Sequence, residues 1–307
     1  DALTAGDHTI GLHAEKTLSP ASKAPISVTA AASVEAIPAG DPRYDFTRFA
    51  PILLGIDQHL NTVLTPSGAE HLGNARSDTP LIVYAKPIPG LGLTTYRYVF
   101  IWSNEDGGTG NWPDLLIARY GRTTDIEGMV EVDVSDAGVR LDVRFRPDES
   151  GTLTTFAGSF RGTHPIVRTF TANGLIQDDG ASTLAFGLPP FAYDDAGLPR
   201  ELGMDLDPIS YVIMAKEMIR EKKIETSGKP GTTKLSDLRN YLYLDYDIDV
   251  DIGGRVLRGI AIVGGVTYYS DHHPLPFNVA LNPRVSDGVA RLAIELPPGT
   301  AIVDIQQ

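Results

Sequence analysis

The segment from Trp112 to Glu127 holds the densest set of side chains able to do chemistry. Asp125 and Glu127 stand two residues apart, so on an extended chain both carboxylates project to one side. Paired carboxylates either hold a hard divalent cation, calcium or magnesium, or divide acid and base work between them. Arg119 and Arg122 beside them either neutralise the pair or grip an anionic ligand. Tyr120 is placed to take part in proton transfer, and Trp112 to contact substrate. The alternative is a salt-bridge network at the end of a strand.

His164 follows Gly162 by two positions and precedes Pro165. That is a strand start with a restricted backbone, which either presents an imidazole as a proton carrier or satisfies loop backbone groups. In Asp271-His272-His273-Pro274 the adjacent histidines point to opposite faces of an extended chain, so at most one joins a site; we place His272 among the substrate contacts. Asp245, Asp247, Asp249 and Asp251 alternate with Tyr246, Ile248, Val250 and Ile252. Like charges on one strand face cost roughly 0.2–1 kcal/mol per close pair. Compensation is expected from Arg255 and Arg258, across a hairpin through Gly253-Gly254, or from bound cations. The loop Ser103 to Gly108 carries calcium-friendly oxygens without the EF-hand spacing.

Gly121-Arg122-Thr123-Thr124-Asp125-Ile126-Glu127 resembles a degenerate form of the Gly-His-Arg-His-Asp-Trp-Glu heptapeptide of the secreted necrosis- and ethylene-inducing-like proteins. Asp114 stands eight residues before Arg122, where that family has its upstream metal-binding Asp. Gly162-Thr163-His164-Pro165-Ile166-Val167 resembles the Gly-x-His-Pro-Val-Val segment of a related vacuolar-protein-sorting-like family, and Phe49-Ala50-Pro51-Ile52-Leu53 is similar to their Tyr-Ala-Pro opening. The resemblance spans residues 45–180. It implies a secreted β-sandwich with a divalent cation bound by Asp114, Asp125 and Glu127. Two departures qualify it. The family's metal-binding His is Arg122 here, and a guanidinium has no lone pair for a metal. Either the cation is bound differently, or Arg122 supplies its positive charge. The family's Trp is Ile126, so cytolytic activity is not carried over.

Composition narrows the classes. Asp and Glu outnumber Lys and Arg by 39 to 26, for a net charge of −13. Such a surface repels phosphate backbones, which disfavours nucleic acid and anionic membranes as partners. With no cysteine, disulfides, thiolate zinc sites and a Cys nucleophile are excluded. There is no Gly-x-Ser-x-Gly elbow, phosphate-binding loop, His-Glu-x-x-His or dinucleotide fingerprint, so no nucleotide or organic cofactor is expected. Apolar residues make up 42% and charged residues 21%, an ordinary globular balance. No apolar run approaches the ~18 residues of a membrane span. Asp1 begins mid-segment, as a mature chain would after signal removal, and Tyr, Thr and Gly are plentiful. A soluble, monomeric, secreted or periplasmic bacterial protein is expected.

The elements that would position these groups are mostly strands. Tyr96, Tyr98, Phe100 and Trp102 alternate with Arg97, Val99 and Ile101, the period of two that marks a strand. Val139, Leu141, Val143 and Phe145 alternate with arginines and Asp142. Further strands are expected at 81–85, 115–120, 129–134, 165–171, 241–252, 255–269 and 288–296. Asp207 and Pro208 open one amphipathic helix near 207–223, with Ile209, Val212, Ile213 and Ile219 on one face. Residues 1–45, with a strand-like run from Ile26 to Ile37, form an N-terminal arm packed on the body, and 46–307 a single domain. The expected fold is mostly β: a two-sheet, jelly-roll-like β-sandwich with one helix.

Two functions fit an acidic, Arg- and His-containing cleft. One is a secreted carbohydrate-active enzyme, a polysaccharide lyase or glycoside hydrolase. Asp125, Glu127, His164 and Tyr120 would do its chemistry, and Arg119, Arg122, Trp112 and His272 would hold substrate. The other is a non-catalytic protein that binds an extracellular glycan or glycolipid with the help of a cation.

Overall fold

The computed structural model describes residues 37–55, 80–103, 105, 113–148, 151–171, 174–182, 185–194, 200–220, 223–225, 234–248, 257–271, 288–301 and 305–306. Trp112, His272, His273, Asp249, Asp251, Arg255, the Gly253-Gly254 pair, residues 26–36 of the arm and the loop at 227–233 lie outside them, as does most of the loop at 104–108.

Two sheets share the main core. The larger runs β11-β2-β3-β4-β5-β6. It comprises β2 (Pro80–Gly90), β3 (Leu93–Trp102), β4 (Ile126–Ser135), β5 (Arg140–Phe145), β6 (Thr154–Thr155) and β11 (Phe191–Ala192). Its pairings are antiparallel except for β11 on β2. The smaller is built of β10 (Ala185–Phe186), β1 (Ile52–Leu54), β8 (His164–Thr169) and β7 (Phe160–Arg161), with β9 (Ile176–Gln177) also on β8. Here β1 and β8 run parallel. Leu53, Val167 and Ile176 of the smaller sheet meet Val83, Phe100, Trp102 and Val132 of the larger, and Phe46 of α1 (Tyr44–Arg48) joins them. The architecture is mostly β and sandwich-like, as expected.

The larger sheet is buried on both faces where β2, β3 and β4 meet. Its second face packs Ile82, Tyr84, Ile101 and Ile126 against Met204 of α3 (Leu202–Asp205) and Met214 of α4 (Ile209–Arg220). A strand covered on both sides reads as a continuous apolar run rather than an alternation. That is why Tyr98-Val99-Phe100-Ile101-Trp102 is buried throughout. Each fully buried large side chain there contributes roughly 1.5–3 kcal/mol.

A second β region follows. β12 (Tyr241–Ile248) pairs antiparallel with β15 (Gly288–Glu295). β13 (Ile260–Val263) and β14 (Val266–Tyr269) form a hairpin whose turn, Gly264-Gly265, has φ of 57° and 79°, the backbone of a tight primed turn. β16 (Ile305–Gln306) pairs with β13. Ile117 of α2 (Pro113–Tyr120) packs with Tyr241 of β12, Ala293 of β15 and Met218 of α4.

Several expectations are corrected. Residues 115–120 are helical, not a strand. Pro113 sits at the first helical position, Asp114 in the first turn and Arg119 in the last, and Gly121, at φ 65°, closes the helix by donating its N–H to the Ile117 carbonyl. The expected helix at 207–223 is α4, but it is not the sole helix: α1, α2 and α3 are also present. Its buried side is Ser210, Met214 and Met218, whereas Ile209, Val212 and Ile219 are exposed. Long, unbranched methionines reach the underlying sheet. The sulfurs of Met214 and Met204 accept from Thr123 N (3.1 Å) and Thr124 Oγ1 (3.0 Å). Finally, β12 takes β15 as its partner, not the strand that follows it.

Candidate functional site

The heptapeptide lies inside the protein. Gly121 turns the chain out of α2, and a Cβ there would stand 2.9 Å from the Arg291 stem. Asp125 then joins the sheet, its carbonyl accepting from Trp102 N at 2.8 Å. Arg122 is 2% exposed. Its Nε donates to Glu201 Oε1 at 3.0 Å, its Nη1 lies 3.6 Å from Glu105 Oε2, and it also donates to the Thr124 carbonyl. Tyr120 is flanked by two guanidiniums, Arg122 at 5.0 Å and Arg119 at 4.9 Å from its ring centre.

Asp125 is buried beside this network. Burial first, then the Glu105 charge, push its carboxyl well above the usual range, against the pull of Arg122 and Arg200. Its Oδ2 has no hydrogen-bond partner among the described residues. A Cβ on Gly174 would fall 2.7 Å from that oxygen and 2.9 Å from Trp102 Nε1.

The other two acids go elsewhere. Glu127 forms an ion pair with Arg146. Asp114 is buried in the first turn of α2. There it acts on Tyr241, whose hydroxyl is pushed upward by burial first, then by Glu295 and, more weakly, by Asp114. A rise of 1.5 Å per residue puts Asp114 about 9 Å along the helix from Tyr120. Among the described residues no group of three or more His, Asp or Glu is arranged to hold a metal ion.

His164 opens β8, and its Nδ1 lies 2.8 Å from the Ala50 carbonyl. A carbonyl only accepts, so Nδ1 carries the proton and Nε2 is left uncommitted among the described residues. His164 lines a groove of about 340 Å³ with Thr47, Pro51, Arg161, Leu188 and Pro190; Asp125 is not part of it.

A second groove, of about 450 Å³, is marked by no motif in the sequence. Leu54 and Ile166 give it an apolar surface, and Ser159, Arg168, Asp178 and Asp179 line it with polar groups. Arg168 Nε donates to the Asp179 carbonyl at 3.3 Å, leaving both terminal guanidinium nitrogens uncommitted among the described residues. Asp178 Oδ2 accepts from Ala157 N at 2.6 Å. Two glycines set the walls. A Cβ on Gly158 would collide with the Asp178 carbonyl, and one on Gly180, at φ 96°, would stand 2.5 Å from Arg168 Nε. The one sequence signal was the turn Asp178-Asp179-Gly180.

On the aspartate strand the compensating cation is Arg291 of β15, which faces Asp245 across the ladder. Arg258, expected in that role, pairs with Asp271 instead.

No family model matches the chain, and no curated protein matches it. One solved structure, described as Necrosis and Ethylene inducing Protein 2 from the causal agent of cocoa's Witches Broom disease, is similar at a TM-score of 0.31 and 13% identity, over 61% of this chain and 82% of that one. At that score the overlay says nothing of activity or partners. No described helix is long and apolar enough to cross a membrane.

Proposed function

We propose that the chain is a secreted, non-catalytic glycan-binding protein whose ligand lies in the Arg168 groove. The observation that carries this reading is the open fork of Arg168 in a groove that Asp178 and Asp179 also line. A guanidinium offers parallel donors and a carboxylate paired acceptors, which together match the vicinal hydroxyls of a sugar. Leu54 and Ile166 offer an apolar surface to the sugar ring's C–H face, and a groove of this size is in the range of small-ligand sites. Binding is favoured over cleavage because the expected acid–base pair is not presented to a ligand: Asp125 is buried and Glu127 is ion-paired. Retention of the protein on a panel of immobilised acidic and neutral polysaccharides tests the reading; failure to bind any of them contradicts it.

A second reading rests on His164. With Nδ1 held by the Ala50 carbonyl, Nε2 is free to act as a base, and Arg161 on the same groove is placed to meet a uronate carboxylate. In this reading the chain is a polysaccharide lyase or hydrolase. Assaying the same panel for reducing ends and for the absorbance of unsaturated uronates separates the two: product that disappears in His164→Ala favours cleavage.

A further inference from the structure

We infer that Arg122 is the resident cation of this fold, carrying the charge for which the heptapeptide resemblance implies a divalent ion. The residues present do not fit such an ion. Calcium needs six to eight oxygens at about 2.3–2.6 Å, and magnesium a near-octahedral set. Of the three acids expected as ligands, Asp114 is on α2 beside Tyr241, Glu127 is paired with Arg146, and only Asp125 remains next to position 122. At that position stands a guanidinium, which cannot ligate a metal and repels one.

What surrounds Arg122 is an anionic shell assembled from distant parts of the chain. Glu201 takes a hydrogen bond at 3.0 Å, Glu105 Oε2 lies at 3.6 Å, and the Asp125 carboxyl is close enough to act on both Arg122 and Glu105. The Arg122 and Glu201 side chains are 3% and 6% exposed, so water screens them little. Asp125 Oδ2, more than nine-tenths buried, has no hydrogen-bond partner among the described residues. A guanidinium stays charged at every pH a protein survives, so this compensation does not vary with metal supply or chelators. The inference is independent of what the Arg168 groove binds.

Thermal unfolding of the wild-type chain, Arg122→Gln and the double variant Arg122→Gln/Glu201→Gln tests it, each in EDTA, in millimolar calcium and in millimolar magnesium. Wild type should melt within about 1 °C in all three. Arg122→Gln should melt at least about 3 °C lower than wild type in all three solutions, because the buried carboxylates lose their cation. Removing one carboxylate in the double variant should recover Tm without any cation. If Arg122→Gln yields no folded protein, recovery of soluble protein in the double variant reads out the same effect. The inference is overturned by a calcium- or magnesium-dependent rise in wild type that Asp125→Asn abolishes, or by a double variant no better than Arg122→Gln.

Discussion

Arg291 and Asp245 face each other across the β12–β15 ladder, Nε to Oδ1 at 2.6 Å, and the same guanidinium reaches Asp205 of α3 at 2.8 Å. One side chain therefore ties the second β region to the helices covering the main sheet. The arginine is buried, but its acid partners are about 40% exposed, so water screens part of the attraction. Arg291→Ala should destabilise by roughly 1–3 kcal/mol, through lost packing of the stem as well as lost charge. Urea unfolding of the variant at pH 7 checks this. A loss under a few tenths of a kcal/mol would make the contact incidental.

Glu295 sets a pH dependence. Burial raises its carboxyl from 4.5 to about 7; a Ser236 hydrogen bond opposes the rise and Glu225 adds to it. The folded chain thus binds this proton more tightly than the unfolded one. Stability from this group is therefore greatest at low pH, falls as pH rises from about 4.5 to 7, and is flat above that. Glu295→Gln should remove the fall and stabilise the protein at pH 8 by on the order of 2 kcal/mol. Melting curves of both proteins from pH 4.5 to 8 give the comparison, and parallel pH profiles would refute the assignment.

The groove walls depend on having no Cβ at two positions. Gly158→Ala forces its loop off the Asp178 carbonyl, and Gly180→Ala combines a positive φ with contact against Arg168. Each should cost about 1–3 kcal/mol. Each should also weaken glycan binding more than Gly151→Ala does, a position with φ 78° and open space around it. Equal loss of affinity in all three would mean that the walls do not shape the site.

The main sheet was legible because its strands carry their own period: Tyr96 to Trp102 and Met129 to Val134 fall within β3 and β4. What covers that sheet was not legible. The run at 115–120 is apolar in both a strand and a helix reading, and the marks that decide for a helix are Pro113 before it and Gly121 after it. On α4 two methionines take the buried side in place of three branched residues, which the spacing of the branched residues alone does not reveal. Asp125 stands just before β4 and Glu127 within it, and spacing says nothing of Arg146, which claims one of them. The Arg168 groove was invisible for a plainer reason. Leu54 reaches Arg168 only because β1 pairs in parallel with β8 across more than a hundred intervening residues, while Asp178 arrives through the β8–β9 pairing.

The proposed site lays a glycan against Arg168. Titration calorimetry of a polysaccharide fragment retained by the wild-type chain, run against Arg168→Ala, Asp178→Asn and His164→Ala, distinguishes this groove from the other. Arg168→Ala should weaken affinity at least about tenfold and Asp178→Asn several-fold, since buried or bidentate charged hydrogen bonds contribute about 1.5–3 kcal/mol. His164→Ala, in the other groove, should bind as wild type does. Undiminished affinity in Arg168→Ala, with binding lost in His164→Ala, would contradict this placement and move the site to the His164 groove.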